Sequence, residues 1–223
     1  MFITFEGIEG CGKSTQTEFL RDYLEGLGYS VLVTLEPGGS RLGVELRRML
    51  LSLESDDLTR EAELFLYLAD RAQHVHQVIR PALEAGRIVI SDRFTHSTLA
   101  YQGYGREMGV DALQEMNIMA VDGTVPDITF LLDLPPETGL RRALGRNMEK
   151  NLTSSEGRFE AEALEFHVRV RQGYLELASR KKEKIVVLDA QALPETVFQG
   201  VVGKVNEIMK IDKKCVDNAN CKV

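Results

Sequence analysis

At 223 residues and 43% hydrophobic, the chain can bury one good core and is too short for two full domains. Thirty-four acids against 27 bases give a formal charge of -7. This argues against bulk attraction to nucleic acid or anionic membrane, so a phosphate ligand must be met by locally placed cations. No apolar run approaches the ~18 residues of a bilayer span. The three cysteines, Cys11, Cys215 and Cys221, are an odd, sparse set that suits a reducing cytosol better than a disulfide or zinc framework.

The apolar run Met1 to Phe5 predicts a buried strand, and Ser14 to Leu27 has the spacing of an amphipathic helix. Between them, Gly7-Ile8-Glu9-Gly10-Cys11-Gly12-Lys13-Ser14 fits G-x-x-x-x-G-K-[ST], the phosphate-binding P-loop. Its glycines let successive N–H groups face a polyphosphate at the positive end of the following helix. Lys13 would reach the β- and γ-phosphates, and Ser14 would offer its hydroxyl to Mg²⁺. Ser30 to Leu35 reads as a second strand, ended by Glu36-Pro37-Gly38-Gly39, which must form a rigid loop on the ligand side of the sheet. Helical patterns follow over Arg41 to Leu53, with Arg47 inside it, and over Thr59 to Ala85, which carries Tyr67, Arg71, His74 and His76.

Arg87 to Ser91 predicts a third strand that delivers Asp92 and Arg93 at its carboxyl end, the edge where open parallel sheets bind ligands. The run from Phe94 starts a helix that should stop at Gly103 to Gly105. Asp111 to Val121 predicts another helix, Asp127 to Asp133 a fourth strand, and a helix begins at Glu137. The polar stretch Gly145 to Gly157 is too long and polar for core and is expected as a loop. Phe159 to Arg180 predicts a long helix, Lys184 to Leu188 a fifth strand and Pro194 to Met209 a closing helix. Strands alternating with helices imply an α/β fold: a five-stranded parallel sheet covered by helices on both faces, as in P-loop NTPases. Residues 1–210 are expected as one domain and 211–223 as a flexible tail.

Arg47, Arg71 and Arg93 come from three elements that should flank one sheet edge. Converging there, their planar forks would hold a second phosphate. Asp92 can hold Mg²⁺ directly or through water. Residues 141–158, rich in arginine, suit a mobile lid that excludes water and supplies charge to a transferring phosphoryl group. His74 and His76 sit two apart on a helix and so do not pair as metal ligands; His96 stays unassigned. Cys11 reads as a small residue tolerated in the loop, where alkylation would block a nucleotide.

Together Gly7 to Thr15, Glu36-Pro37-Gly38-Gly39, Leu46-Arg47, Ala69-Asp70-Arg71-Ala72-Gln73, Asp92-Arg93-Phe94 and Ala100-Tyr101-Gln102-Gly103 resemble bacterial thymidylate kinase, in the nucleoside monophosphate kinase superfamily. The resemblance implies Mg²⁺-dependent transfer of the ATP γ-phosphoryl group to dTMP, a homodimer and a cytoplasmic enzyme with no membrane or nucleic-acid partner. By position it implies ATP and metal contacts from Gly7, Glu9, Gly10, Cys11, Gly12, Lys13, Ser14, Thr15, Arg142 and Asp92. It implies dTMP contacts from the Glu36-Pro37 loop, Arg47, Arg71 and Arg93, with Tyr67 stacking on thymine while Phe65 faces the core. Ser97, Thr98 and Gln102 would read the base edge, Tyr101 would crowd the sugar, and Glu9 would lie near the 3′-hydroxyl. One branch of the family carries an arginine after the acidic P-loop residue. That position is Gly10 here, so the catalytic charge is expected from the lid, from Arg146 and Arg158 with Arg142 close behind. Three departures stand out: Leu35 where the family usually has Arg, Gly157 before Arg158 where many members have Asp, and a longer span between Arg146 and Arg158. The rival readings are a P-loop kinase for another nucleotide or a deoxynucleoside, and a nucleotide-binding switch. A nucleoside leaves the three arginines without a phosphate, and the Asn-Lys-x-Asp guanine reader of common switches is not found.

Overall fold

The computed structural model describes residues 1–150, 152–180 and 184–211; Cys215, Cys221 and the expected tail from 212 on lie outside them. Among the described residues, β1 (Phe2–Glu6), β2 (Val31–Leu35), β3 (Ile88–Asp92), β4 (Ile128–Asp133) and β5 (Ile185–Asp189) form one sheet of order β2-β3-β1-β4-β5. Every neighbouring pair is parallel. All five residues of β1 are buried, and their side chains alternate between two cores. Ile3 and Phe5 pack with Leu20 and Leu24 of α1 (Lys13–Gly26) and with Val201 and Val205 further on. Phe2 meets Val75, Ile79 and Val121 on the other face. A strand buried on both faces needs cover on both, which is why the expected α/β architecture forms. Each such Ile or Phe is worth roughly 1.5–3 kcal/mol by burial.

The remaining helices are α2 (Arg41–Leu51), α3 (Arg60–His74), α4 (Arg80–Glu84), α5 (Thr95–Thr98), α6 (Val110–Val121), α7 (Pro136–Glu149), α8 (Thr153–Glu156), α9 (Leu164–Ser179) and α10 (Pro194–Met209). Four differ from the sequence pattern. The long helix expected over Thr59 to Ala85 carries a π turn, Val75–Ile79, between α3 and α4. Pro81 at the start of α4 has no N–H for the α ladder, and the wider turn lies just before it. The helix from Thr95 does not stop at its glycines but continues as a second π segment, Leu99–Gly105. Gly105 lies against Phe166 and Val170 of α9, where a Cβ would collide; the glycine serves close packing rather than helix termination.

The stretch expected as a polar loop is mostly helical. Helix α7 runs through Gly145 to Glu149, since Arg, Leu, Met and Glu favour helix and one glycine costs only about 1 kcal/mol. Conversely, the helix expected from Phe159 begins at Leu164. Residues 158–162 turn instead, and the Arg158 N–H donates to the Leu51 carbonyl at 3.1 Å. Phe65 is the clearest reversal, 59% exposed rather than in the core. Tyr67 faces inward, and two residues along a helix turn a side chain by about 200°, to the opposite face.

Candidate active site

Where β1 ends, Gly10 and Gly12 take φ of 69° and 100°, a backbone that L side chains avoid, and the chain curls into the start of α1. Lys13 Nζ folds back to donate to the carbonyls of Gly7 and Ile8 at 3.1 and 3.0 Å. Ser14 Oγ donates to Asp92 Oδ2 at 3.1 Å from the end of β3. A Cβ at Gly10 would strike the Gly139 carbonyl of α7, so this packing leaves no room for an arginine in the loop. Cys11 is free and 4% exposed, and burial pushes its thiol up despite Lys13 nearby. It is therefore not the reactive group that alkylation would require.

A cavity of about 590 Å³ lies at the carboxyl ends of β1 and β3. The loop with Lys13, Ser14 and Thr15, the Glu36-Pro37 loop, Tyr67 and Arg71 all wall it. Arg47, Arg93, Ser97, Thr98, Tyr101 and Gln102 line it as well, so the three arginines do converge. The Glu36-Pro37 bond is cis. Leu35, the position where the resemblance leads to an expected arginine, lines the same cavity.

The three arginines are held differently. Arg93 has φ of 76°, strain of a kind that concentrates at functional sites. Its guanidinium donates to the Gly7 carbonyl at 3.0 Å, to Glu9 Oε1 at 3.0 Å and to Tyr101 Oη at 3.1 Å, and lies 4.9 Å over the Tyr101 ring. Arg47 donates through Nη1 to the Pro37 carbonyl and forks Glu156 of α8 with two 3.1 Å bonds. Arg71 is 2% exposed and engaged on four protein acceptors: Glu36, Thr98, Asn117 and the Phe94 carbonyl. With its donors committed beside Thr98 and Gln102, Arg71 sits as part of a rigid wall rather than as a free phosphate clamp.

Glu9 lines the cavity beside Arg93 and Tyr101. Tyr101 Oη donates to its Oε1 at 2.5 Å, and His167 Nδ1 lies 3.5 Å from Oε2. Burial opposes its ionisation, but the nearby His167 ring, the charges of Arg93 and Lys13 and the Tyr101 hydrogen bond outweigh it and hold the carboxyl at about 2.

Of the lid arginines, Arg142 and Arg146 line the cavity, the first donating to the Ala190 carbonyl and the second pairing Asn147 and Glu160. Lys150 joins them there. Arg158 does not line it. Its guanidinium is drawn into the protein by Glu63 Oε2 at 2.7 Å and by the carbonyls of Leu50 and Ser55, so it is excluded from the expected catalytic set. Sequence reasoning also passed over Glu6, Glu63, Asn117, His167 and Tyr174. Glu6 is fully buried and accepts from the N–H of Phe94 and Ser97, from Ser97 Oγ and from Tyr174 Oη. A carboxylate closing an apolar strand was its only signal. Glu63 stands one helical turn before Tyr67, and that spacing could have found it. His74 bridges Glu36 and Thr34, a structural role as expected. His96 is buried and does not line the cavity.

Asp70 is fully buried, with Oδ1 accepting from the Gly38 N–H. Burial, then the nearby Glu36 charge, push its carboxyl from 3.8 up to about 6. The folded protein therefore keeps a proton that the unfolded chain releases near pH 4. The associated stability is complete below about pH 4 and disappears as pH rises through about 6. Asp70→Asn, which stays neutral, should flatten this dependence by about 3 kcal/mol between pH 4 and pH 8. Urea titrations at the two pH values check it; identical slopes in both proteins would contradict the assignment.

A P-loop sharing one cavity with arginines and an aromatic ring, on a parallel sheet of this order, defines a P-loop kinase with the nucleoside monophosphate kinase fold. The thymidylate kinase family model matches residues 5–201. The chain is 58% identical over 212 residues to thymidylate kinase of Maridesulfovibrio salexigens, covering 95% of this chain and 98% of that protein. It is 56% identical over 209 residues to thymidylate kinase of Nitratidesulfovibrio vulgaris strain Miyazaki F, covering 94% and 97%. The crystal structure of thymidylate kinase from Ehrlichia chaffeensis superposes with a TM-score of 0.72 at 33% identity, over 92% of this chain and 98% of that one. The chain belongs to the thymidylate kinase family.

Proposed function

We infer that this chain transfers the γ-phosphoryl group of ATP to dTMP, giving dTDP and ADP. The observation that carries this reading is one cavity lined both by the Lys13 cradle and by Arg47, Arg93 and Tyr67, with Arg93 beside the cradle through its bond to the Gly7 carbonyl. Two anionic ligands entering from opposite ends meet head to head, the arrangement in-line transfer needs. The amides of Gly7 to Thr15 and the Lys13 ammonium hold the triphosphate. Arg47 and Arg93 orient the dTMP phosphate, the Glu36-Pro37 loop backing them, while Tyr67 stacks on the base. Ser97, Thr98, Gln102 and the fixed Arg71 guanidinium present polar atoms to the base edge. Glu9, already ionised, accepts a hydrogen bond from the sugar 3′-hydroxyl, and Tyr101 beside it narrows the space at the sugar. Arg142 and Arg146 bring positive charge to the transferring group. The acceptor phosphate is itself ionised near pH 7, so no strong base is required.

The Ser14 hydroxyl and Asp92 carboxylate, 3.1 Å apart beside the cradle, are hard oxygen donors of the kind Mg²⁺ takes alongside substrate phosphates and water. These two residues would hold it, and the ion would neutralise charge on the phosphates. Residues 1–210 act as one catalytic domain with 141–158 as its lid. The cytoplasm is the compartment assigned, consistent with the free thiol of Cys11.

Incubating the protein with Mg-ATP and each nucleoside monophosphate or deoxynucleoside in turn, with ADP release scored, tests the acceptor. Release with dTMP at least tenfold faster than with any other acceptor is expected; equal release without an acceptor would favour a hydrolytic switch. The chain acts as a homodimer. Phe65 on α3 and Ile118 and Met119 on α6 are 59%, 55% and 81% exposed, and these two helices pack together, so a shared apolar face supports the pairing. Met119→Glu should shift sedimentation toward the monomer; an unchanged dimer would remove this face from the interface.

A further inference from the structure

Gln102 lines the cavity, but what holds it lies behind the wall. Its Nε2 donates to Glu63 Oε1 at 2.7 Å, both groups being buried. Glu63 is fully buried, does not line the cavity, and also takes Arg106 Nη2 at 3.0 Å and Arg158 Nη2 at 2.7 Å on its other oxygen. The two arginines, with a net positive charge, keep this carboxyl ionised: its value lies below the ordinary carboxylate range although burial alone would raise it. An ionised carboxylate only accepts hydrogen bonds. The Gln102 amide is therefore held in one orientation: one N–H of its nitrogen is committed to Glu63, which fixes its carbonyl as the acceptor it can offer, beside the second N–H.

We propose that Glu63 is a positioning residue for base selectivity, setting Gln102 to present an acceptor to the substrate. This rests on Gln102 reading the base edge. A thymine ring carries an N–H donor at N3, which a carbonyl oxygen receives, whereas a cytosine ring carries an unprotonated acceptor there and would face the same carbonyl without a proton between them. Arg106 and Arg158 act through Glu63. Arg158 is also tied to the Leu50 and Ser55 carbonyls and precedes Phe159, which lines the cavity. The end of the lid and the base wall thus share one buried carboxylate.

The test is the ratio of kcat/KM for dTMP to that for dCMP in wild type, Glu63→Gln, Gln102→Leu and Arg158→Met. Two facing amides can pair in either orientation, so Glu63→Gln should narrow the ratio by about tenfold or more. Gln102→Leu should narrow it at least as much. Arg158→Met should lower the melting temperature yet keep the ratio, because Glu63 retains its charge and Arg106. An unchanged ratio in Glu63→Gln with a narrowed one in Gln102→Leu overturns the role of Glu63 alone. An unchanged ratio in Gln102→Leu overturns the assignment of Gln102 to the base edge. Should Glu63→Gln not fold, the double variant Glu63→Gln with Arg106→Met enters the same assay; it keeps the summed charge of Glu63, Arg106 and Arg158 unchanged. In the wild-type protein, the Gln102 side-chain amide protons should exchange slowly by NMR before dTMP is added; rapid exchange would overturn the proposal without any variant.

Discussion

Replacing Lys13 by Met should lower kcat for dTMP phosphorylation by about 10²–10³-fold, the loss typical when one preorganised donor to developing charge is removed. Lys13 is 8% exposed, and its ammonium hydrogen-bonds within its own loop, to the Gly7 and Ile8 carbonyls and, at 3.6 Å, to Cys11 Sγ. Met fills a similar volume, so the melting temperature should stay within about 3 °C of wild type. Single-turnover rates beside thermal melts separate the two effects. A rate within threefold of wild type would mean that the loop does not carry the transferred phosphoryl group.

Arg71→Met should give the largest loss of stability. Arg71 pairs Glu36 at 2.8 Å with both side chains 2% exposed, and Glu36 also contacts His74. Removing the cation leaves a buried carboxylate close to Asp70, at a cost of about 3–5 kcal/mol, or a fall in melting temperature of about 10 °C. Much of the loss should return in the double variant Arg71→Met with Glu36→Leu, because an apolar pair of similar volume needs no compensation for desolvated charge. A single variant that melts within 2–3 °C of wild type would show that Arg71 is not what neutralises Glu36. The double variant should still bind dTMP poorly, as the wall beside Thr98 and Gln102 loses its guanidinium.

Much of this could be read from contiguous residues. The P-loop is eight residues whose backbone conformation is dictated by their own glycines, flanked by a strand and a helix with plain periodicities. Asp92 and Arg93 follow a buried strand directly, so parallel topology alone sends them to the ligand edge. The helix pattern around Tyr67 was legible too, but periodicity gives a helix two faces without saying which is covered, and Phe65 went to the outside. The lid failed in a similar way. Arg141 to Arg158 is compositionally a solvated run, yet α7 extends into it as far as Glu149, and its last arginine is captured by Glu63, 95 residues away.

Local sequence determined the elements, the phosphate cradle and the identity of the arginines, because strand alternation, helix periodicity and glycine conformations act within a few residues. Tertiary structure decided what each charge does. Arg158, Arg71 and Arg93 are the same residue type, but a guanidinium goes to whichever buried acceptors lie within about 3 Å. Those acceptors are Glu63, Glu36 and Glu9, brought by other elements of the chain.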